Sequence, residues 1–274
     1  MYIDSHHHFW SLERGDYSWM SPDYVKIYKD FDEKDLIPHL KKHNISKTVI
    51  VQAADTIAET QFILSIAEKA NFVSGVVGWV DFESAQVKAD IDTLSSNEYL
   101  KGFRPMIHDI EDESWMLKEN LSIGLNYLVD KDLTFDALVR PQHLKNLYTF
   151  AKRYKNLAIV IDHIAKPKIS FNEVDEWMVD MKKLAELENI SCKFSGILTE
   201  LTVDTKRSKI TPYVDHIFSI FDTDRIMWGS DWPVLEMAEA YSSWFNFAND
   251  LCVNLSETER MNVFAHTAAS FYRL

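Results

Sequence analysis

The chain has 274 residues, 46% apolar and 26% charged, the balance of a folded globular protein long enough for one large domain or two smaller ones. Lys and Arg number 29 against 42 Asp and Glu, a formal charge of −13 without a long block of one sign, which argues against nucleic acid or an anionic membrane surface as a partner. With only 7 Gly, and neither GxGxxG nor GxxxxGK[ST], a glycine-cradled nucleotide phosphate is excluded in those two forms.

In chain order, short apolar and β-branched runs predict strands opening near Tyr2, Lys47, Val73, Lys101, Leu133, Leu157, Ile190 and Arg225. Between them lie segments of helical period. Residues 56–70 carry Phe62, Ile63, Ile66 and Ala67 on one stripe, and 171–189 repeat the pattern with Val174, Trp177, Met178, Met181 and Leu184, with Asn172 as the expected cap. The last helix opens at Ser256 with Glu259 three residues on, a capping box in which each side chain satisfies the other's orphan amide. Strand and helix thus alternate from end to end. Strands recur about every 32 residues, and eight such units fill roughly 250 residues, the size of a (β/α)8 TIM barrel. The competing doubly wound sheet would normally carry a Gly-rich first turn, which is missing. No linker or composition shift divides the chain, so residues 1–274 read as a single barrel domain of class α/β. The longest irregular stretches, 10–30 and 198–210, follow strands one and seven, at the end where barrel enzymes place their working loops.

Cys192 and Cys252 are far apart with no CxxC, so neither a disulfide framework nor a thiolate zinc site is expected. The sequence opens on MYIDSHHHF, without a basic stretch leading into an apolar run, and no 18-residue apolar window follows. A cytoplasmic protein with no membrane association is the expectation.

The chemistry concentrates at strand ends. On a regular first strand, alternation gives Asp4, His6 and His8 one face and Ser5 and His7 the other. A purification-tag remnant would not be embedded between Tyr2-Ile3 and Phe9-Trp10. Asp162-His163 ends strand six and Gly229-Ser230-Asp231-Trp232-Pro233 follows strand eight. A closed parallel barrel brings these ends onto one rim, so His6, His8, His163 and Asp231 converge, either as a divalent-metal site or as a water-activating base with partners. Arg104 and Arg140 end strands four and five, where a guanidinium can clamp a carboxylate or polarise a carbonyl; the bland reading of each is a structural ion pair. Lys193 shares a face of strand seven with Ser195, with Asp231 as its candidate partner and a place on the barrel floor as the alternative. Trp10, Trp79, Trp228 and Trp232 lie near the rim, where aromatic faces stack on sugar C–H faces or simply pack barrel to helix. His108, Asp109 and His143 follow strands four and five and are expected to line the same pocket, whereas His39, His43, His216 and His266 read as packing or surface groups.

The strings IDSHHHFW, GFRPMIHD, VIDHIAKP, CKFSGILTE and RIMWGSDWPV, in this order and spacing, resemble the amidohydrolase superfamily, specifically its amidohydrolase-related lactonase group. That group includes sugar lactonases acting on L-fucono- and L-rhamnono-lactones and, more distantly, the pyrone dicarboxylate lactonase. The resemblance covers essentially the whole chain and implies a (β/α)8 barrel that hydrolyses a lactone ester. It also implies that His6 and His8 are the family's HxH pair, His163 its strand-six histidine, Asp231 the strand-eight aspartate that activates water, and Arg104 a substrate contact. The chain departs from the wider superfamily in having no carbamylated-lysine candidate at the end of strand four and Arg140 where strand five would carry a histidine. A binuclear centre is therefore not expected. One divalent ion, Zn in first place, is the implied cofactor, and some relatives work without any metal.

The expected reaction is the opening of a small sugar lactone to its aldonic acid. Asp231 takes a proton from water and returns it to the leaving alkoxide, His163 and its neighbours orient the water or polarise the carbonyl, and Arg104 stabilises the oxyanion. A dicarboxylate substrate would want several rim cations, for which the sequence offers Arg104, Arg140, Lys166 and Lys193, so a neutral lactone held by Trp10, Trp79 or Trp232, with His108, Gln52 and Asp81 as polar contacts, fits the charge better. The alternatives are a metal-dependent decarboxylase or hydratase of unsaturated acids on the same barrel and, remotely, a non-enzymatic binding protein. Exposed barrel helices would allow a homodimer, an assembly the sequence does not fix.

Overall fold

The eight apolar runs fold as parallel strands paired in sequence order: β1 (Tyr2–His7), β2 (Ile45–Val51), β3 (Val73–Gly78), β4 (Leu100–Phe103), β5 (Thr134–Ala137), β6 (Ile159–Ile161), β7 (Ile190–Phe194) and β8 (Ile226–Trp228). A computed structural model describes residues 1–171 and 174–274. β8 returns to β1 through Asp231 N to His6 O (2.8 Å), His8 N to Trp232 O (2.7 Å) and the Ser5 hydroxyl to Trp228 O (2.7 Å), which closes the sheet into a (β/α)8 barrel.

Helices separate the strands: α1 (Glu33–His43), α2 (Ile57–Ala67), α3 (Val87–Ser95), α4 (Ser122–Asp130), α5 (Leu144–Arg153), α6 (Asp175–Ala185), α7 (Thr211–Ile220) and α8 (Tyr241–Leu251). Thr56 caps α2, its hydroxyl accepting from Glu59 N, and Ile63, Leu64, Ile66 and Ala67 are buried. α6 is shorter than the periodicity suggested, and the cap expected at Asn172 lies outside the described residues. The capping box at Ser256 forms as read and starts α9 (Glu257–Met261), which continues through a π turn into α10 (Thr267–Tyr272).

The interior has two storeys. The lower one is apolar: Ile3, Val49, Val51, Val77, Val160 and Met227 pack on one another and on Ala265, Ala268 and Tyr272 from the C-terminal helices. Fully burying a side chain of this kind contributes roughly 1.5–3 kcal/mol. The upper storey is charged and opens toward the loops that follow the strands. No helix among the described residues is long and apolar enough to cross a membrane, and Cys192 and Cys252 are both free and buried.

One local expectation fails. The register of β1 against β2 shifts between Asp4 and His7, a bulge that uses up one residue and breaks the simple alternation of faces. His6 points into the barrel, while Asp4 accepts from Tyr241 of α8 (2.8 Å) and from Ser230 N (2.8 Å). Asp4 is therefore a tie between the sheet and the helix layer, with burial pushing its carboxyl up to about 6 against those bonds.

Candidate active site

The first charged layer lies just above the apolar interior. Lys193 is fully buried; its Nζ donates to Asp136 Oδ2 (2.5 Å) and His6 Nδ1 (3.2 Å) and lies 3.0 Å from Asp162 Oδ1. Tyr272 donates to the same Asp136 oxygen (2.6 Å), and Arg104 Nη1 lies 3.4 Å from Asp162 Oδ2. Two cations thus face two carboxylates, the compensation that buried charge requires. Asp231, the partner expected for Lys193, is not part of this set, because Asp136 and Asp162 are nearer along the barrel wall. Asp136 was not singled out in the sequence; its signal there was a lone carboxylate in the apolar strand LTFDALV, answered by a lone lysine in ISCKF.

Above this layer, three imidazoles converge on one carboxylate oxygen. Asp231 Oδ1 is 3.3 Å from His8 Nε2, 3.6 Å from His6 Nε2 and 3.8 Å from His163 Nε2. Both His163 (φ 55°) and Asp231 (φ 58°) are left-handed, and 163–166 form a left-handed turn straight after β6. For residues other than glycine this conformation is costly, and such strain clusters at working sites. Burial drives His163 down to about 3 and His6 well below its usual range. Burial also works against an ionised Asp231, but the surrounding His163, His8 and His6 more than offset it and hold the carboxyl below its usual range.

Ring nitrogens from His6 and His163 and an oxygen from Asp231 lie within 4.8 Å of one another, the N/O donor set that a divalent ion such as Zn accepts. Because His8 Nδ1 donates to the Val51 carbonyl (2.7 Å), a neutral ring turns an unprotonated Nε2 toward Asp231; two acceptors at 3.3 Å call for a proton or a cation between them. The donor chemistry therefore fits a metal ion. His163 Nδ1 is held by Ser195 Oγ (2.9 Å), as the second nitrogen of a ligating histidine usually is. His6 departs from that pattern, since its second nitrogen faces the Lys193 ammonium.

These groups form the floor of a cavity of about 290 Å³ lined by His8, Arg104, His163 and Asp231, with His108, Asp109, Arg140 and Lys166 on one side. Its apolar walls are Trp19, Tyr24, Ala53, Met106, Leu138, Val234 and Met237. Arg104 donates through Nη2 to Gln52 O, and its buried Nε has no partner among the described residues. Lys166 is paired with Glu200 (2.7 Å).

Four residues expected to bind substrate stand elsewhere. Lys193 is sealed beneath the floor. Trp10 is buried with its indole N–H donated to Lys29 O (2.7 Å) and its ring packed edge-on against Trp19 and Phe31. Trp232 is wedged among Phe9, Phe31 and His39, and the half-buried Trp79 lies outside the cavity wall. Trp228, also weighed as a rim aromatic, packs on Tyr241, Phe245 and Phe264. Gln52 is buried behind Arg104, and His143 accepts from Arg140 N (3.0 Å) as a local turn brace. The aromatic wall is instead Trp19, whose indole donates to Ala53 O (2.7 Å), together with Tyr24. The available signal was their position in the longest loop after a strand.

Comparison with known proteins agrees with this geometry. Residues 3–274 match the amidohydrolase family. The chain is 38% identical to an L-fucono-1,5-lactonase of Burkholderia ambifaria over 276 residues, covering 99% of this chain and 95% of that protein. It superposes on crystal structures of an amidohydrolase from Burkholderia multivorans, one with bound HEPES (TM-score 0.95, 29% identity) and one with bound Zn (TM-score 0.94, 28% identity), each covering 100% of this chain and 99% of the other.

Proposed function

This chain belongs to the amidohydrolase family, and from that membership we propose that it hydrolyses a small neutral sugar lactone, of the L-fucono-lactone type, to its aldonic acid. The observation that carries the reading is the convergence of His6, His8 and His163 on one oxygen of Asp231 at the floor of a cavity that Arg104 also lines.

Water held between Asp231 and the imidazoles gives a proton to the carboxylate while its oxygen adds to the lactone carbonyl carbon. Charge passes to the carbonyl oxygen, which the guanidinium of the cavity-lining Arg104 would stabilise. The ring C–O bond then breaks and the proton on Asp231 passes to the leaving alkoxide. A divalent ion, Zn in first place, would be held by His6, His163 and Asp231, with His8, the fourth ligand expected from the sequence, beside them against Asp231; when bound it would supply a Lewis acid and a more acidic water. The sugar ring would rest against Trp19 and Tyr24, whose faces suit C–H stacking. Sparse cations favour a neutral ligand: Lys193 is sealed off, Lys166 is neutralised by Glu200 and Arg104 is shared with Asp162, which leaves Arg140 to meet a charged group. Two free cysteines fit a reducing cytoplasm.

A panel of neutral 1,4- and 1,5-aldonolactones beside carboxylate-bearing lactones, followed by proton release, tests the proposal. Turnover is expected for neutral sugar lactones with weak activity on charged ones. Inactivity on every lactone, together with turnover of an unsaturated carboxylic acid, would replace the reading.

A further inference from the structure

Thr56-Ile57-Ala58-Glu59 opens α2 with the spelling of a capping box, in which the glutamate normally turns back to the amide of the capping residue. At Ser256 the same spelling forms that box; here only half of it forms. Thr56 Oγ1 accepts from Glu59 N (3.0 Å), but the Glu59 carboxyl reaches away from the helix and accepts from Ala53 N through Oε1 (3.0 Å). Glu59 is fully buried and its Oε2 has no partner among the described residues, so a costly buried acid is committed to one amide. That amide belongs to the Gln52–Ala53 peptide, just past the end of β2. The sheet's last hold is one peptide earlier, where Gln52 N donates to Val77 O (2.8 Å). The carbonyl of the Gln52–Ala53 peptide, Gln52 O, accepts from Nη2 of the cavity-lining Arg104.

We infer that Glu59 is a positioning residue for Arg104: it pins the Gln52–Ala53 peptide by its N–H, so that the carbonyl on the opposite edge holds the guanidinium at the cavity. This peptide is trans and planar, with N–H and C=O pointing in opposite directions, so a bond at each edge fixes the plane between the helix layer and the barrel interior. An acceptor on the N–H also polarises the C=O and strengthens its bond to Arg104. The other contacts of the guanidinium are weaker guides: Nη1 is 3.4 Å from both His6 Nε2 and Asp162 Oδ2, and Nε has no partner among the described residues. Gln52 completes the grip from its side chain, Nε2 donating to Arg104 O (2.8 Å). Glu59 itself does not line the cavity, so it acts through the peptide and not on the ligand. A glutamate that served only to cap α2 would turn to Thr56 N, and one that only filled space would do so at less cost as an apolar side chain.

The kinetic arm of the test rests on the proposed hydrolysis; the structural arm does not. Glu59→Met removes the acceptor for Ala53 N, and Glu59→Gln keeps an oxygen for it. On L-fucono-1,5-lactone, Glu59→Met is expected to lower kcat by about 10–100-fold with KM within about three-fold, the split left by losing a transition-state contact. Glu59→Gln should stay within about two-fold of wild type in both. In an Arg104→Lys background, Glu59→Met should cost less than about two-fold more, because the group it positions is gone. Additive losses in that cycle, or wild-type kcat in a folded Glu59→Met, overturn the inference. The structural arm is read without turnover. In 15N-arginine spectra the guanidinium of Arg104, assigned by its loss in Arg104→Lys, is expected to show hindered rotation in wild type and Glu59→Gln and free rotation in Glu59→Met. Equal hindrance in Glu59→Met overturns the inference. Should Glu59→Met not fold, the wild-type protein still decides: a freely rotating Arg104 guanidinium, or a crystal structure with Glu59 turned back to Thr56 N, overturns it. Failure of the lactonase reading would appear separately, as no lactone turnover by wild type with the Arg104 signal as stated.

Discussion

Gly196 shows how tightly single residues constrain this site. Its φ is 60°, and a Cβ built on it would meet His163 Nδ1 at 2.3 Å, so only glycine lets β7's exit pass behind the imidazole. Gly196→Ala is expected to push His163 off Asp231 and to lower kcat by about 100-fold, the scale of loss from an ångström of misplacement. A crystal structure or circular dichroism would show the fold retained, and wild-type kcat in this variant would mean that His163 does no positional work. Gly229 plays the same part against His6, where an added Cβ would come within 2.8 Å of His6 Cβ. Neither close approach is visible in the sequence, because each depends on a histidine from a distant strand.

At the scale of elements, α2 carries a buried acid that ties stability to pH. Glu59 is fully buried, one carboxyl oxygen accepting from Ala53 N (3.0 Å) and the other without a partner among the described residues. Burial raises its pKa to about 8, from 4.5. The folded state therefore binds a proton that the unfolded chain has already lost above 4.5, so this group's contribution to stability falls as pH rises from about 4.5 to about 8 and is then level. Between pH 6 and 9 wild type should lose about 2–3 kcal/mol from this source, and Glu59→Gln should not. Urea unfolding of both proteins across that range checks it, and parallel pH profiles would remove Glu59 from the account. Elements differ in how much of them the sequence exposes. The eight strands were legible because each is an apolar, β-branched run bounded by polar segments, as in KTVIVQ and LAIVIDHI. The bulge in β1 and the left-handed turn at 163–166 were not, since Ile164 and Ala165 carry no local preference for positive φ and only tertiary packing imposes it. The tryptophans misled for a related reason: residue type marks an aromatic, but whether it faces ligand or helix depends on the loop path, which put Trp19 in the cavity wall and Trp10 behind it.

The whole molecule explains why residues 225 positions apart act together. Parallel strands in sequence order bring the ends of β1, β6 and β8 onto one rim, so His6, His163 and Asp231 meet although no segment contains more than one of them. The same topology stacks the site on a charged layer and that layer on an apolar one, with Tyr272 from the C-terminal helix joining the lower storeys by its bond to Asp136. The chain carries a net charge of −13, while the cavity keeps Arg104, Arg140 and Lys166. A neutral lactone enters such a cavity without a charge barrier, and its anionic product leaves into an acidic surround. In the proposed hydrolysis Asp231 moves the proton. Its most direct test is hydrolysis of L-fucono-1,5-lactone, followed by proton release, in wild type and Asp231→Asn at equal protein concentration. Turnover by wild type and a loss of at least about 1,000-fold in a variant of unchanged circular dichroism are expected; a folded Asp231→Asn that hydrolyses the lactone at the wild-type rate would remove Asp231 from the proton transfer.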